Sequence, residues 1–192
     1  APGDGFALDA TFDRYARPEA DGGITVRRMS DDERLVALPP PTSRPVALRF
    51  SPDGRRLAAK TDDGGRVGLA LWDLESREAL LGAPEGVAAD AFDFSPDGRT
   101  FAAGRRDGTI NLYGSEVAST FPLNAPIRAT AWHPDGRRIA AGAEDGRLFI
   151  VDARDAAAQP ELFDGHQGDI VSAAFHPGGD LLATASRDGT VR

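Results

Sequence analysis

The chain has 192 residues, with 22 Lys and Arg against 30 Asp and Glu, a net charge of −8, 22 Gly, 14 Pro and no Cys. This acidic, turn-rich composition offers no basic footprint for a phosphate backbone, so nucleic acid is not an expected partner. The lack of cysteine excludes disulfides, thiolate zinc sites and a cysteine nucleophile. No apolar run approaches the roughly 18 residues that span a bilayer, so no membrane insertion by this segment is expected.

In chain order, residues 5–16 followed by 24–28 read as strands without a sharp turn motif between them, and residues 34–38 as a further strand. Residues 46–50 form a short strand closed by Ser51-Pro52-Asp53-Gly54, where Pro pre-sets φ and Gly takes a positive φ. The next strand, residues 56–60, carries a large apolar residue followed by paired Ala, which suits a strand packed between sheets with little room on one side. The same sequence of signals recurs with Phe94-Ser95-Pro96-Asp97-Gly98 and residues 100–104, then Asp107-Gly108 as a tight hairpin turn into residues 108–113. It returns in Trp132-His133-Pro134-Asp135-Gly136 with a third strand at 147–151, and in Phe175-His176-Pro177-Gly178-Gly179. Looser fourth strands are expected at 34–38, 79–81, 117–121 and 161–163.

These segments align without gaps. Counting each leading aromatic as zero, position 7 is Leu57, Phe101, Ile139 or Leu182, position 8 is always Ala, and position 13 is Asp63, Asp107, Asp145 or Asp188, each followed by Gly. A degenerate copy starts at Leu8, with Tyr15, Ala16, Asp21 and Gly22 at the matching positions. The anchors are 42, 44, 38 and 43 residues apart. A period near 40 built from four antiparallel strands describes one propeller blade.

The residues resemble the WD-repeat β-propeller family over essentially the whole chain. The most specific match is the last repeat, from Gly165-His166 through Phe175-His176-Pro177 to Asp188-Gly189-Thr190-Val191. The Trp-Asp pair occurs once, as Trp72-Asp73, nine residues after Asp63 where the other repeats place that slot six residues after the turn Asp. The turn at 61–68 is therefore read as holding a three-residue insertion. The resemblance implies an all-β fold, a WD-repeat β-propeller fragment of about four four-stranded antiparallel blades plus a truncated one out of seven. Its repeats would lie at 1–42, 43–86, 87–124, 125–164 and 165–192, with the remaining blades in the same full-length chain, because Arg192 falls in the middle of a third strand.

The family's buried hydrogen-bond network of His, Ser or Thr, turn Asp and Trp carries over to His166, Thr184 and Asp188 in the last repeat, with Trp72, Asp63, Asp107 and Asp145 at matching positions elsewhere. Its role is structural, since satisfied buried polar groups rigidify a blade without chemistry. His133 and His176 both replace the turn Ser, and Asp53, Asp97 and Asp135 are turn formers at one repeat position. No metal site, cofactor, phosphate loop or catalytic constellation is expected from these residues.

Propellers of this family bind partners where the turn between second and third strands emerges. The residues just before each turn Asp are Ala20, Asp62, Arg106, Glu144 and Arg187, with Arg105 beside Arg106. Asp62, Arg105, Arg106, Glu144 and Arg187 are thus candidate contacts for a protein partner; Arg suits bidentate recognition of carboxylates and is enriched at interfaces. The acidic string Ser30-Asp31-Asp32-Glu33 falls on the opposite face, between third and fourth strands. The N-terminal 25 residues also resemble the start of the C-terminal propeller of some bacterial multidomain Ser/Thr protein kinases, which implies a docking or sensing extension of a kinase encoded elsewhere in the chain. The expected function is a non-catalytic interaction scaffold, weighed against a propeller enzyme or small-ligand binder that would use convergent polar groups at the central channel.

Overall fold

The computed structural model describes residues 6–41, 43–64, 66–81, 89–114 and 119–192. Repeat boundaries at 42/43 and 86/87, and the first two residues of the strand expected at 117–121, lie outside these. Among the described residues there are eighteen strands and no helix. The chain divides into two compact units, Ala1–Ala88 and Ala89–Arg192.

In the first unit, β1 (Ala7–Leu8), β2 (Arg14–Pro18), β3 (Ile24–Arg28) and β4 (Arg34–Leu38) form one antiparallel sheet in chain order. The second sheet is β5 (Arg44–Phe50), β6 (Arg56–Asp63), β7 (Arg66–Asp73) and β8 (Ala79–Leu81). The second unit holds β9 (Ala91–Phe94), β10 (Phe101–Gly104), β11 (Thr109–Tyr113) and β12 (Ser119–Pro122), then β13 (Ile127–Trp132), β14 (Arg138–Ala143), β15 (Leu148–Asp152) and β16 (Glu161–Phe163). Its last sheet pairs β17 (Ile170–Phe175) with β18 (Leu182–Ser186), and Val191 bridges Ala185 where a third strand begins. Four successive four-stranded meanders of this kind are propeller blades.

The turn after each first strand is closed locally. The Ser51 hydroxyl donates to Asp53 Oδ1 at 2.6 Å and accepts the Arg56 amide at 2.9 Å, and Ser95 repeats the pattern with Asp97 and Thr100. Gly54 and Gly98 follow at φ +67° and +71°, a region only glycine enters without strain, which explains the Asp-Gly step of the motif.

Within each unit, one sheet lays its face on the next. Ala16, Ile24, Val26 and Leu38 meet Leu57, Ala59, Ala70 and Trp72 in the first unit. In the second, Ala102, Ile110, Leu112 and Phe121 meet Trp132, Ile139, Ala141, Phe149 and Val151. The repeated Ala at position 8 now has a reason: Ala16, Ala102 and Ala140 are all 0 % exposed, so no larger side chain fits between neighbouring sheets at that point. Two further side chains tie sheet to sheet. Arg14, held by the buried Asp9 at 2.9 Å, donates to the Gly54 carbonyl at 3.0 Å. His133 accepts the Asp135 amide on Nδ1 at 3.0 Å and donates from Nε2 to the Gly179 carbonyl at 2.8 Å, its ring edge-on to Phe175. His133 thus does more than form its own turn; it is buried and reaches the neighbouring sheet.

Close packing against a side chain of the next sheet is tight at Gly104 and Gly142, position 10 of their repeats. A Cβ on Gly104 would sit 3.1 Å from the Ile127 Cβ, and one on Gly142 would sit 2.7 Å from the Ile170 Cβ. Each isoleucine is a knob from the first strand of the next sheet, and neither glycine has a positive φ, so the constraint is steric alone. Gly142→Ala is expected to lower stability by about 1–3 kcal/mol, the usual effect of overpacking, and Ile170→Ala in the same chain should recover part of that loss. Urea denaturation of the single and double variants checks it; equal, additive losses would show that the two positions do not press on each other.

One element departs from the sequence-based reading. The three extra residues at 61–68 do not make a larger turn but lengthen the ladder, with Thr61↔Gly68, Asp62↔Val67 and Asp63↔Arg66 in register. Asp62 and Asp63 are therefore strand residues, and Asp63 does not occupy the hairpin-turn place of Asp107, Asp145 and Asp188. Backbone pairing satisfies the extra amides and carbonyls at once, which a loose loop would leave to solvent.

Candidate interaction face at the hairpin turns

The hairpin between second and third strands is built the same way in four repeats. The turn Asp accepts the amide two residues on: Asp21 from Gly23 at 2.9 Å, Asp107 from Thr109 at 3.1 Å, Asp145 from Arg147 at 3.1 Å and Asp188 from Thr190 at 2.8 Å. This cap pins the turn, and the residue before it is presented at the tip.

The tips in the second unit are linked by charge. Arg106 donates from Nε to Asp90 Oδ2 at 2.6 Å. The same carboxylate oxygen accepts Nη1 of Arg128 at 2.8 Å, and Arg128 Nη2 reaches Glu144 Oε2 at 2.8 Å. The result is a ladder of alternating sign, Arg106, Asp90, Arg128, Glu144, crossing from one sheet to the next. The Asp90 side chain is only 8 % exposed, while Arg106 at 61 % and Glu144 at 45 % face solvent at the two ends. Arg187 is 74 % exposed and lies 3.7 Å from Asp169, whose backbone carbonyl it also caps with its amide. Arg105 turns to Asp107 at 2.9 Å. Asp62, in the first unit, is an exposed residue of β6.

Asp90, Arg128 and Asp169 are not among the residues singled out from the sequence. Asp90 and Arg128 both stand four before the leading aromatic, but the same position holds Val46 and Val171 elsewhere, so no periodic signal marks it. Open cavities occur in each unit. One, of about 1250 Å³, is lined in the first unit by Phe6, Leu8, Tyr15, Met29 and Pro45 among others. Another, of about 420 Å³, lies in the second unit against Leu148, Ile150, Phe163 and Leu182. Arg105, Arg106, Glu144, Arg187 and Asp62 line neither. In the second unit, Arg106 and Glu144 stand at the two ends of the charge ladder and line neither cavity.

His166, Thr184 and Asp188 are joined directly. His166 Nδ1 lies 2.9 Å from Asp188 Oδ2 and Nε2 lies 2.9 Å from the Thr184 hydroxyl. With Asp188 ionised, Nδ1 carries the proton and Thr184 donates to Nε2. Thr190 and Ser186, which the sequence reading does not include, complete the group: Thr190 Oγ1 donates to Asp188 at 2.6 Å, Ser186 accepts the Asp188 amide at 3.1 Å and donates to the Gly168 carbonyl at 2.8 Å. The Gln167 amide also reaches Asp188 at 2.9 Å. The order hydroxyl, imidazole, carboxylate is that of a proton relay, yet the Thr184 hydroxyl is buried on β18 and spent on the ring. The arrangement clamps the segment 165–168 onto the β18 hairpin. Trp72 belongs to the first unit, buried on β7 opposite Leu57, while Asp107 and Asp145 bond within their own hairpins.

The Thr190 hydroxyl, then the Gln167 amide and His166, hold the Asp188 carboxyl far below the ordinary carboxylate range. Burial pushes Asp135 the other way, but the amides of Arg137 and Arg138 and the Arg138 guanidinium outweigh it, and Asp135 too is strongly depressed. A carboxylate depressed by folding stabilises the native state above its unfolded pKa, about 3.9 for Asp, and that stability is lost as pH falls below this value. The stability difference between the wild type and Asp188→Asn is accordingly expected to shrink between about pH 6 and about pH 3, read from urea midpoints. A difference that stays constant would show that the carboxylate charge contributes nothing at this site.

Repeated four-stranded blades with a Gly-His, a buried His–Thr–Asp bond set and Asp-Gly hairpins define a β-propeller of the repeat type. The family model for the WD domain, G-beta repeat matches residues 85–114, 116–152 and 159–192, more than half of the chain, and the chain belongs to this family. No curated protein matches it. Repeats of this family generally mediate protein–protein interaction and scaffolding, and its propellers are typically non-catalytic. Among the described residues no helix is long and apolar enough to cross a membrane, and no cluster of His, Cys, Asp or Glu is placed to hold a metal ion.

Proposed function

We propose that this chain is a non-catalytic protein-interaction scaffold, a partial propeller over residues 1–192 that serves as the docking or regulatory module of a larger signalling protein. The observation that carries the reading is the ladder from Arg106 through Asp90 and Arg128 to Glu144. Its inner members are shielded and fix the geometry, and its outer members present charge of both signs to solvent, which favours orientation and selection of a protein partner over capture of a small ligand. The repeats divide near 42, 86, 124 and 164, and the remaining blades are placed in the same full-length chain. The likeness of the N-terminal segment to kinase-linked propellers supports a Ser/Thr protein kinase as the enzyme this module serves.

A photo-crosslinking residue at position 106 or 187, compared with one at Glu161 on the outer strand β16, tests the reading in cells that make the protein. Crosslinks to one discrete protein from 106 and 187, lost in Glu144→Arg, are expected; equal capture from all three positions would overturn the rim as the docking face. Reading the gene on both sides tests the kinase link, which requires a glycine-rich phosphate loop and a His-Arg-Asp motif in the same frame.

A further inference from the structure

Among the described residues, five buried side-chain nitrogen or oxygen atoms have no hydrogen-bond partner, and four of them flank one seam: Arg105 Nε, Arg128 Nε, Thr130 Oγ1 and Trp132 Nε1. The seam lies between the β9–β12 sheet and the β13–β16 sheet, where β9 runs beside β13. Arg105 stands at its rim end, the Arg105 carbonyl accepting the Ile127 amide at 2.9 Å. Arg128, Thr130 and Trp132 follow along β13. Thr130 sits against Gly104, where its Cγ2 would lie 3.0 Å from an added Cβ, and Trp132 joins the apolar cluster that the two sheets share. A buried polar group without a partner costs more than a made hydrogen bond contributes, so such a row on one strand strains the contact it sits in. On the opposite face of the same sheet, the buried His133 is served by the Gly179 carbonyl at 2.8 Å, and Ile170 fills the space over Gly142 as Ile127 fills that over Gly104. The two seams share their apolar packing and differ in how their polar groups are satisfied.

The charge ladder crosses the strained seam at its rim end. Asp90 belongs to the β9–β12 side, its amide bonded to the Gly104 carbonyl at 3.0 Å, and Arg128 belongs to the other. Their 2.8 Å bond is the rung that joins the two sheets, and with the Asp90 side chain only 8 % exposed it is screened less than the outer rungs. Each inner charge is oriented by an outer one on its own side, Asp90 by Arg106 and Arg128 by Glu144. We infer that the ladder is a latch on this seam and that Glu144 is its handle: a basic group of a docked partner that takes Glu144 releases the Arg128 fork, and the sheets loosen beneath the docking site. The inference deepens the scaffold reading and rests on it, since it makes occupancy of the rim the event that sets the mobility of the seam. Partner binding and seam opening are thereby linked, each favouring the other.

The chain has no cysteine, so a single thiol reports on each seam. Ile127→Cys and Ile170→Cys place one at the matching buried position of the two seams, and reaction with an aromatic disulfide reagent is timed. Asp90→Ala should speed labelling of Ile127→Cys about tenfold or more and leave that of Ile170→Cys within about twofold. Asp90→Asn, which keeps the side-chain volume, gives the same comparison should Asp90→Ala not fold. Glu144→Ala should speed labelling of Ile127→Cys about threefold. Thr130→Val keeps the shape and removes one unsatisfied group, so alone it should raise the urea midpoint, and added to Asp90→Ala it should slow the labelling again. Unchanged labelling of Ile127→Cys in the Asp90 variants, or equal acceleration at both thiols, overturns the latch. A lower urea midpoint in Thr130→Val overturns the strain, because the hydroxyl is then satisfied in solution. A response to Asp90→Ala with none to Glu144→Ala overturns the handle. Crosslinks from position 106 with unchanged labelling would keep the scaffold reading and remove this inference, and a latched seam without crosslinks would do the reverse.

Discussion

Phe101→Ala is expected to lower the unfolding free energy by about 3–5 kcal/mol, the range for removing a fully buried aromatic ring. Phe101 is 0 % exposed at position 7 of its repeat, paired in register with Phe94 on one side and Tyr113 on the other. Its ring stands edge-on to Phe94 at 5.1 Å and tilted to Phe92 at 5.5 Å, so the substitution removes two aromatic contacts together with the apolar area. The space left cannot be refilled by a small movement, because the adjoining residues on the same strand, Ala102 and Ala103, are themselves 0 % exposed and locked in the ladder. Domains of this size are stable by only about 5–15 kcal/mol, so the variant should unfold at a much lower urea concentration. Glu161→Ala on the outer strand β16, where the whole strand is exposed, is the control and should shift the midpoint little. A shift of Phe101→Ala as small as that of the control would show that the aromatic at position 7 is not the anchor of its sheet.

The same local chemistry explains how much of the fold can be read from the residues. The Ser-Pro-Asp-Gly turn and the Asp-Gly hairpin are closed by bonds two to five residues long, such as Ser51 to Asp53 and Asp107 to Thr109, so their positions follow from sequence alone. Paired Ala after a large apolar residue likewise announces a strand between two sheets, and burial of Ala140 and Ala141 on β14 supplies the cause. Reading fails where a long-range term decides. Counting thirteen residues from Phe50 reaches Asp63, but the hairpin there is three pairs longer, and only the observed register shows that this aspartate ends a strand. The ladder is half visible: Arg106 and Glu144 stand at a repeat position, whereas Asp90 and Arg128 matter through a bond between two sheets that no periodicity records. His133 reads as a turn residue because Ser fills that place in two other repeats; its longer side chain is what lets it span to Gly179.

His166→Ala is expected to cost about 3 kcal/mol, because it leaves the buried Thr184 hydroxyl unsatisfied, worth roughly 1–3 kcal/mol, and removes both the ring's packing and its bond to Asp188. The imidazole, with a side chain 4 % exposed, takes the Thr184 hydroxyl on one nitrogen and donates to Asp188 from the other. Without it, Thr184 on β18 loses its partner inside the sheet, and the segment 165–168 keeps only the Gln167 amide to Asp188 and the Ser186 hydroxyl to the Gly168 carbonyl. Thr184→Val removes the hydroxyl but keeps the shape, so it should cost less, about 1–2 kcal/mol, with the orphaned Nε2 as the only loss. The two substitutions share one bond, and their effects should therefore fall short of additive in a double-mutant cycle. Amide hydrogen exchange adds a readout that global stability does not: in His166→Ala the Gln167 and Thr190 amides, both bonded to Asp188, should lose protection ahead of the β13–β14 ladder. Strict additivity, or uniform loss of protection across the second unit, would mean that the clamp contributes only through the volume of the ring. A clamp that acts locally leaves the hairpin tip bearing Arg187 free to move once His166 is gone, and so couples this buried bond set to the tip proposed as part of a docking rim.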